Sequence, residues 1–272
     1  MNPPEGECES NEKEVLRRAT REIENYSVGL VAHDVHCGCG TLIEFDGIRG
    51  ILTAHHVWNM IRSRGGRVGL TLAEHRHSFF LEPELYRAHE VGTPSEPDEY
   101  TEIGPDLAFL EILAPTCIGT ILSKKSFYVL RTFRFAPSVL EPWSWFIAGT
   151  PAALTEHADV PDMLNLGTLV GGAQFESREE RNEFDYVSLK VNSGTHSFPG
   201  DYQGLSGGGM WIVPFVKRDI QDSPSLDYQA PELAGVAFFQ GPPQNSFQSI
   251  YGHGPKSIFQ TLRELIRRSR RI

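Results

Sequence analysis

Short apolar runs of strand length, joined by turn-forming segments, recur along this 272-residue chain. Those at 26–32, 40–45, 48–54, 67–72, 78–81 and 107–113 form a first series. A second series follows at 143–149, 167–172, 185–191, 209–216 and 233–239. They are rich in Val, Ile, Leu and Phe, which suit a pleated, half-buried surface. Asp46-Gly47 is a hairpin turn signal between two of them. The 26 glycines and 18 prolines supply the other turns. No strand–helix alternation appears, so an α/β-hydrolase fold is disfavoured and an all-β sandwich or pair of barrels is expected.

Helical spacing is confined to three places. Val15, Ala19 and Ile23 predict a helix over 11–24, capped by Ser10 or Asn11. Val57, Met60 and Ile61 predict a short helical turn over 55–64, stopped by Gly65-Gly66. Ile258, Phe259, Leu262, Leu265 and Ile266 give an amphipathic helix over 257–271. Residues 2–9 read as disordered. The acidic stretch 90–102, the mixed-charge stretch 176–185 and the polar stretch 217–231 read as loops.

A hydrophobic fraction of 40% with 22% charged residues describes a folded chain. The net charge of −10 argues against general nucleic-acid binding, which needs basic surface. No run approaches the ~20 apolar residues of a membrane span. The N-terminal segment is polar and acidic and does not read as a signal peptide. Cys8, Cys37, Cys39 and Cys117 do not form a disulfide framework, and free thiols in a cytoplasmic protein are expected. Arg263, Arg267, Arg268, Arg270 and Arg271 suit a helix C-terminus; a docking or membrane-surface patch is the alternative.

Chemistry concentrates at Gly204-Leu205-Ser206-Gly207-Gly208-Gly209. Glycine costs conformational entropy and packs nothing, so four in six positions need a local cause. A tight turn whose N–H groups converge on a developing oxyanion, beside a nucleophile, is one such cause. The strand-like Met210-Trp211-Ile212-Val213 follows at once, which disfavours the strand–turn–helix elbow of α/β-hydrolases. A nucleophilic serine needs a base, and the base an orienting acid. Thr53-Ala54-His55-His56-Val57 places two histidines where a strand meets a helical turn. Gly104-Pro105-Asp106-Leu107-Ala108 places a carboxylate at the mouth of an apolar strand, where it must find hydrogen-bond donors.

These three segments resemble the boxes of trypsin-like serine peptidases. Thr53 to His56 resembles Thr-Ala-Ala-His with a histidine at the third place, Asp106-Leu107-Ala108 resembles Asp-(Ile/Leu)-Ala, and Gly204 to Gly208 resembles Gly-Xaa-Ser-Gly-Gly. The order His, Asp, Ser is that of the chymotrypsin family. Phe146 to Pro151 looks like the strand opening a second barrel, and Leu233 to Ala237 like the strand behind a specificity pocket. The resemblance implies an all-β fold of two packed antiparallel six-stranded β-barrels, with an extra N-terminal helix and a C-terminal helix. It divides the chain into a tail and helix (1–25), a first barrel carrying His and Asp (26–122), a second carrying Ser (123–256) and a terminal helix (257–272).

Carried over residue by residue, the resemblance makes Ser206 the nucleophile, His56 the base and then acid, and Asp106 the orienting carboxylate. Gly204 and Ser206 supply oxyanion-hole N–H groups, and Gly200, Phe238 and Phe239 lie in the substrate-binding region, Phe238 narrowing it. No cofactor and no metal is expected. The partners are a protein or peptide substrate and, as a candidate, a regulatory protein. Leu205 stands where trypsin has the aspartate that receives a freed N-terminus, so activation of that kind is not expected, which brings the chain closer to bacterial and intracellular members. Bacterial defence systems pair such peptidases with partner proteins, a setting the resemblance permits. Gly209 replaces the usual proline and is expected to loosen the turn.

Two other readings stand beside this one. A silent or gated trypsin-fold module would bind proteins without cutting them. His33, His36, Cys37, Cys39 and His55 could form a zinc cluster, although His-x-x-His with Cys-x-Cys is not standard finger spacing. His75, His77 and His89 read as surface residues. Of Trp143 and Trp145, one should pack in the core and the other in a cleft or interface.

Overall fold

A computed structural model describes residues 5–72, 78–92, 105–131, 143–157, 164–194, 198–220 and 223–270. The expected 93–102 part of the acidic loop, His75, His77, Arg271 and the side chain of Trp143 lie outside what is described. The chain builds two β-sheets flanked by helices, and the expected all-β class of barrel-like sheets is borne out.

The first sheet takes β1 (Ser27–Ala32), β2 (Val35–Phe45), β3 (Ile48–Thr53), β4 (Val68–Thr71), β5 (Ser78–Leu81), β6 (Tyr86–Gly92) and β7 (Asp106–Ile112). Their order is β5-β4-β1-β2-β3-β7-β6, antiparallel throughout, and this curled sheet stays open among the described residues. A short strand β8 (Tyr128–Val129) pairs parallel with β2. The first sheet therefore collects a strand beyond residue 122, the expected end of the first barrel.

The second sheet takes β9 (Trp143–Gly149), then a separate ribbon of β10 (Thr155–His157) and β11 (Leu164–Leu166) intervenes. It continues with β12 (Leu169–Arg181), β13 (Phe184–Asn192), β14 (Gly209–Ile220), β15 (Ser223–Tyr228), β16 (Glu232–Gln240) and β17 (Phe247–His253). The run β14-β16-β17-β13-β12-β9 closes into a six-stranded barrel because β9 also pairs with β14. The outer end of β14 folds back as a hairpin with β15.

Two expected loops are strands. Residues 176–185 complete the β12–β13 hairpin, and 217–231 hold the end of β14 and β15. In sequence both segments are dominated by charged and polar residues, and although Asp185 and Tyr186 are buried and Leu226 and Tyr228 pack against an apolar cluster, no apolar alternation marks them. Cross-strand polar pairs take its place: Ser188 Oγ donates to Glu176 at 2.5 Å and Arg178 pairs with Asp185 at 2.9 Å. Strands β6, β8 and β17 and the helix Pro115–Leu122 were also not expected from the sequence.

The N-terminal helix α1 runs Glu5–Glu24, starting before the expected cap. Its Val15, Ala19 and Ile23 are buried as the spacing predicts. They join one apolar cluster with Ile43, Phe45 and Phe109 of the first sheet and Phe146, Trp211 and Val213 of the second. Helix α2 (His55–Ser63) follows β3 and ends at Gly65 and Gly66, both at positive φ. No described helix is long and apolar enough to cross a membrane.

The terminal helix crosses both sheets. It begins with a π-helical segment, Ser257–Leu262, and continues as an α-helix, Arg263–Ser269. Buried Asp185 of β13 caps its start, accepting the N–H groups of Ser257 and Lys256 at 2.8 and 3.2 Å. Its arginines pair within the chain: Arg263 and Arg267 with Asp46, and Arg270 with buried Glu111 at 3.1 Å. His89, expected at the surface, is 4% exposed on β6, between Glu111 at 2.8 Å and the Ser269 hydroxyl at 3.1 Å.

Because Ile23 is fully buried in the cluster that both sheets share, Ile23→Ala should lower stability by about 2–4 kcal/mol. Urea unfolding followed by tryptophan fluorescence measures this, and a loss under ~0.5 kcal/mol would mean that the helix is not part of the core.

Candidate active site

The two sheets meet at the glycine-rich turn between residue 203 and β14. Gly204 and Gly207 have φ of +85° and +89°. At Gly207 an added Cβ would stand 1.9 Å from the Cys39 carbonyl oxygen, so a side chain is excluded by both conformation and space. The turn is tied to β2 of the first sheet. The Cys39 N–H donates to the Ser206 carbonyl at 2.7 Å, and the Thr41 hydroxyl to the Gly207 carbonyl at 3.3 Å. The Cys39 thiol lies 3.0 Å from the Gly204 carbonyl and receives the Thr150 N–H at 2.8 Å. Burial pushes this thiol up to about 12, so it stays protonated and can donate.

Leu205 and Gly209, the two departures from the trypsin pattern, have packing causes. Leu205 is 3% exposed, in an apolar cluster with Tyr202, Met210 and Ile147. The segment is thus anchored by hydrophobic burial. At Gly209 an added Cβ would lie 2.3 Å from the indole nitrogen of Trp211, so the glycine makes room for that ring. The turn is tightly enclosed here rather than loosened.

His55 and His56 start α2 and point to different surroundings. His55 is buried, 3.0 Å from Glu90, which also receives the Trp58 indole N–H at 2.9 Å and Arg62 at 3.0 Å. His56 is half-exposed and its Nδ1 lies 2.6 Å from Asp106 Oδ2. The His56 backbone N–H donates to the other carboxylate oxygen at 2.8 Å. Burial pushes the Asp106 carboxyl up, but the hydrogen bonds and charge of His56 outweigh this and hold it below its ordinary value. Asp106 therefore stays ionised at neutral pH.

His56 and Ser206 line one cavity of about 540 Å³, with His36, Tyr202, Phe239 and Gln240 also on its wall. The Ser206 hydroxyl donates to the Phe238 carbonyl at 3.2 Å. The N–H groups of Gly204 and Ser206 have no acceptor among the described residues. His36 packs beside Gly204, and burial lowers its pKa against an opposing hydrogen bond at Gly38.

The other candidates separate. Gly200 is exposed and is not on the cavity wall; its carbonyl accepts the Ser193 hydroxyl at 3.1 Å. Phe238 also borders the cavity; it is 4% exposed, and its ring packs 4.9 Å from that of His253. Phe239 remains on the wall. Gln240 was not singled out from the sequence. Its amide accepts the Tyr202 N–H at 3.0 Å and donates to Asp201 at 2.7 Å, joining β16 to the loop before the serine. Of the zinc-cluster residues, His55 turns to Glu90, His33 lies 3.1 Å from the Arg64 carbonyl, and the Cys37 thiol faces the Val35 carbonyl. Among the described residues no three His, Cys, Asp or Glu side chains come together as metal ligands. Trp145 stacks on Phe175 at 5.4 Å.

Behind the pair lies His253 of β17, whose Nε2 accepts the Asp106 backbone N–H at 2.9 Å. Burial pushes its imidazole down to about 4, although Asp106 and Asp185 draw it back up. This histidine sits on a strand that the sequence reading missed.

Similarity to known proteins is confined to solved structures: no family model and no curated protein matches. Neuropsin, a serine protease expressed in the limbic system of mouse brain, shares 12% identity over 89% of this chain and 95% of its own, with a TM-score of 0.46. The serine protease domain of the Sesbania mosaic virus polyprotein shares 15% over 88% and 91%, with a TM-score of 0.41. A structure concerned with coupled folding and binding of the disordered Sesbania mosaic virus VPg protein shares 15% over 88% and 90%, at 0.42. Overlaps this loose carry no argument, and the two-sheet fold rests on the strand pairing above.

Two outcomes follow from the site's packing. Gly207→Ala should cost about 3 kcal/mol or more, because a positive φ and a backbone clash add; a thermal melt within about 2 °C of wild type would contradict it. The unfolded chain protonates His253 near its ordinary 6.5, whereas the folded chain holds it neutral to about 4. This stability is complete above about pH 6.5 and is lost as pH falls toward about 4, to a total of about 3 kcal/mol. Urea midpoints at about pH 7 and about pH 4.5 should fall in that sense, and a midpoint rising on acidification would overturn it.

Proposed function

We propose that the chain is a serine endopeptidase that cleaves peptide bonds of protein substrates through an acyl-enzyme on Ser206. The observation that carries this reading is the 2.6 Å contact of His56 Nδ1 with Asp106, with His56 and Ser206 on one cavity wall. Asp106 accepts from the imidazole Nδ1 and from the His56 backbone N–H, which presents Nε2 as the bare, basic nitrogen. In the first step Nε2 takes the Ser206 hydroxyl proton while Oγ bonds to the scissile carbonyl carbon. The charge that develops on the carbonyl oxygen meets the N–H groups of Gly204 and Ser206, each worth about 3 kcal/mol in such a role. The imidazolium, stabilised by Asp106, then passes its proton to the leaving amine. Water resolves the ester by the same steps in reverse order of proton transfer.

A gated variant of the reading has its own support. The Ser206 hydroxyl is directed at the Phe238 carbonyl and must turn from it to give its proton to the imidazole. Substrate, or a regulatory protein, would then select the productive orientation of that hydroxyl.

A fluorophosphonate probe should label the full-length protein at one site, and Ser206→Ala should abolish labelling. His56→Ala should slow it by roughly a thousandfold or more. Failure to label the protein alone or with added peptide substrates would reject the enzymatic reading in favour of a binding module.

A further inference from the structure

His253 closes β17 and is fully buried where the two sheets meet. Its Nε2 accepts the backbone N–H of Asp106, which opens β7 of the other sheet, so this nitrogen is bare and Nδ1 carries the proton. Nδ1 has no hydrogen-bond partner among the described residues. A buried polar atom without a partner is costly, and an aliphatic side chain would fill the space without that cost. What the imidazole adds over an aliphatic group is an acceptor aimed at Asp106.

The ring is held on several sides. Phe238, Tyr186 and Phe184 lie at centroid distances of 4.9, 5.1 and 6.0 Å. The strand pairing places His253 opposite both Tyr186 and Val236. The acceptor therefore belongs to the closed barrel. Phe238, the nearest ring, carries the carbonyl that accepts the Ser206 hydroxyl. The charged groups acting on the imidazole are Asp106 of β7, Asp185 of β13 and Arg181 of β12. The neutral ring is the form that can accept; a protonated one would oppose N–H to N–H.

We propose that His253 is a positioning residue for the His56–Asp106 pair: it pins the first residue of β7 through the Asp106 N–H and so sets where the carboxylate meets the imidazole. The catalytic consequence rests on the peptidase reading above, whereas the geometric effect on His56 does not.

The test compares full-length wild type with His253→Leu, which fills the space without an acceptor, and His253→Gln, which restores one. Two measurements are made on each: the chemical shift of the His56 Nδ1 proton, and the pH profile of the fluorophosphonate labelling rate. In wild type, 15N NMR should also show a scalar coupling between the Asp106 amide nitrogen and His253 Nε2. His253→Leu should move the His56 proton upfield, slow labelling by roughly ten- to a hundredfold and shift its pH midpoint; His253→Gln should recover most of the rate. A His253→Leu protein with the wild-type His56 shift and labelling rate overturns the proposal. So does wild type without the coupling, which decides the matter if the leucine variant does not fold. If wild type shows the coupling and the leucine variant displaces the His56 proton, while none of the proteins is labelled, positioning stands and the peptidase reading fails.

Discussion

The site depends on two hydrogen bonds that cross from one sheet to the other. The Cys39 N–H of the first sheet reaches the Ser206 carbonyl of the second at 2.7 Å, and the Asp106 N–H of the first reaches His253 of the second at 2.9 Å. Each removes an inter-strand backbone donor from solvent and spends it on the opposite sheet. The first fixes the turn that carries the serine against β2. The second fixes the strand that carries the carboxylate against β17. His56 and Ser206, supplied by separate sheets, can share a cavity wall because both of these registrations hold.

Apolar packing makes those registrations rigid. One cluster takes residues from both sheets and from both terminal helices, with Trp211 fully buried near its centre and stacked on Tyr26 at 5.4 Å. Leu205 joins a second cluster within the closed barrel and brings the backbone of the serine turn with it. Such clusters respond to a missing methylene by leaving a cavity, so displacement at one sheet is transmitted to the other. The terminal helix adds a polar clamp, capped by Asp185 on the closed barrel and paired with Asp46 and Glu111 on the open sheet.

Legibility followed periodicity. Strands buried on both faces, such as β3 and β7, stood out as apolar runs, and α2 was marked by its spacing and its Gly65-Gly66 stop. The β12–β13 and β14–β15 ribbons were read as loops because residues 176–185 and 217–231 are rich in charged and polar types and lack apolar alternation. β17 was missed because Phe247-Gln248-Ser249-Ile250-Tyr251-Gly252-His253 is short and contains glycine and polar residues. With it went His253. At the candidate site, Ser206, His56 and Asp106 were legible from local boxes. Gln240 and the burial of the Phe238 ring were not, since each depends on what lies across a strand register shifted by a bulge between Ala237 and Phe239.

The sequence by itself determined the all-β class, the two terminal helices and the identity of the three residues that converge, because these are written in local composition and short-range spacing. Tertiary structure alone decided which barrel closes, which way the adjacent histidines turn, and what stands behind Asp106. The physical reason is range: a turn or an amphipathic face is specified by neighbours within a few residues. The acceptor for the Asp106 N–H lies 147 positions away and is found only when the two sheets pack.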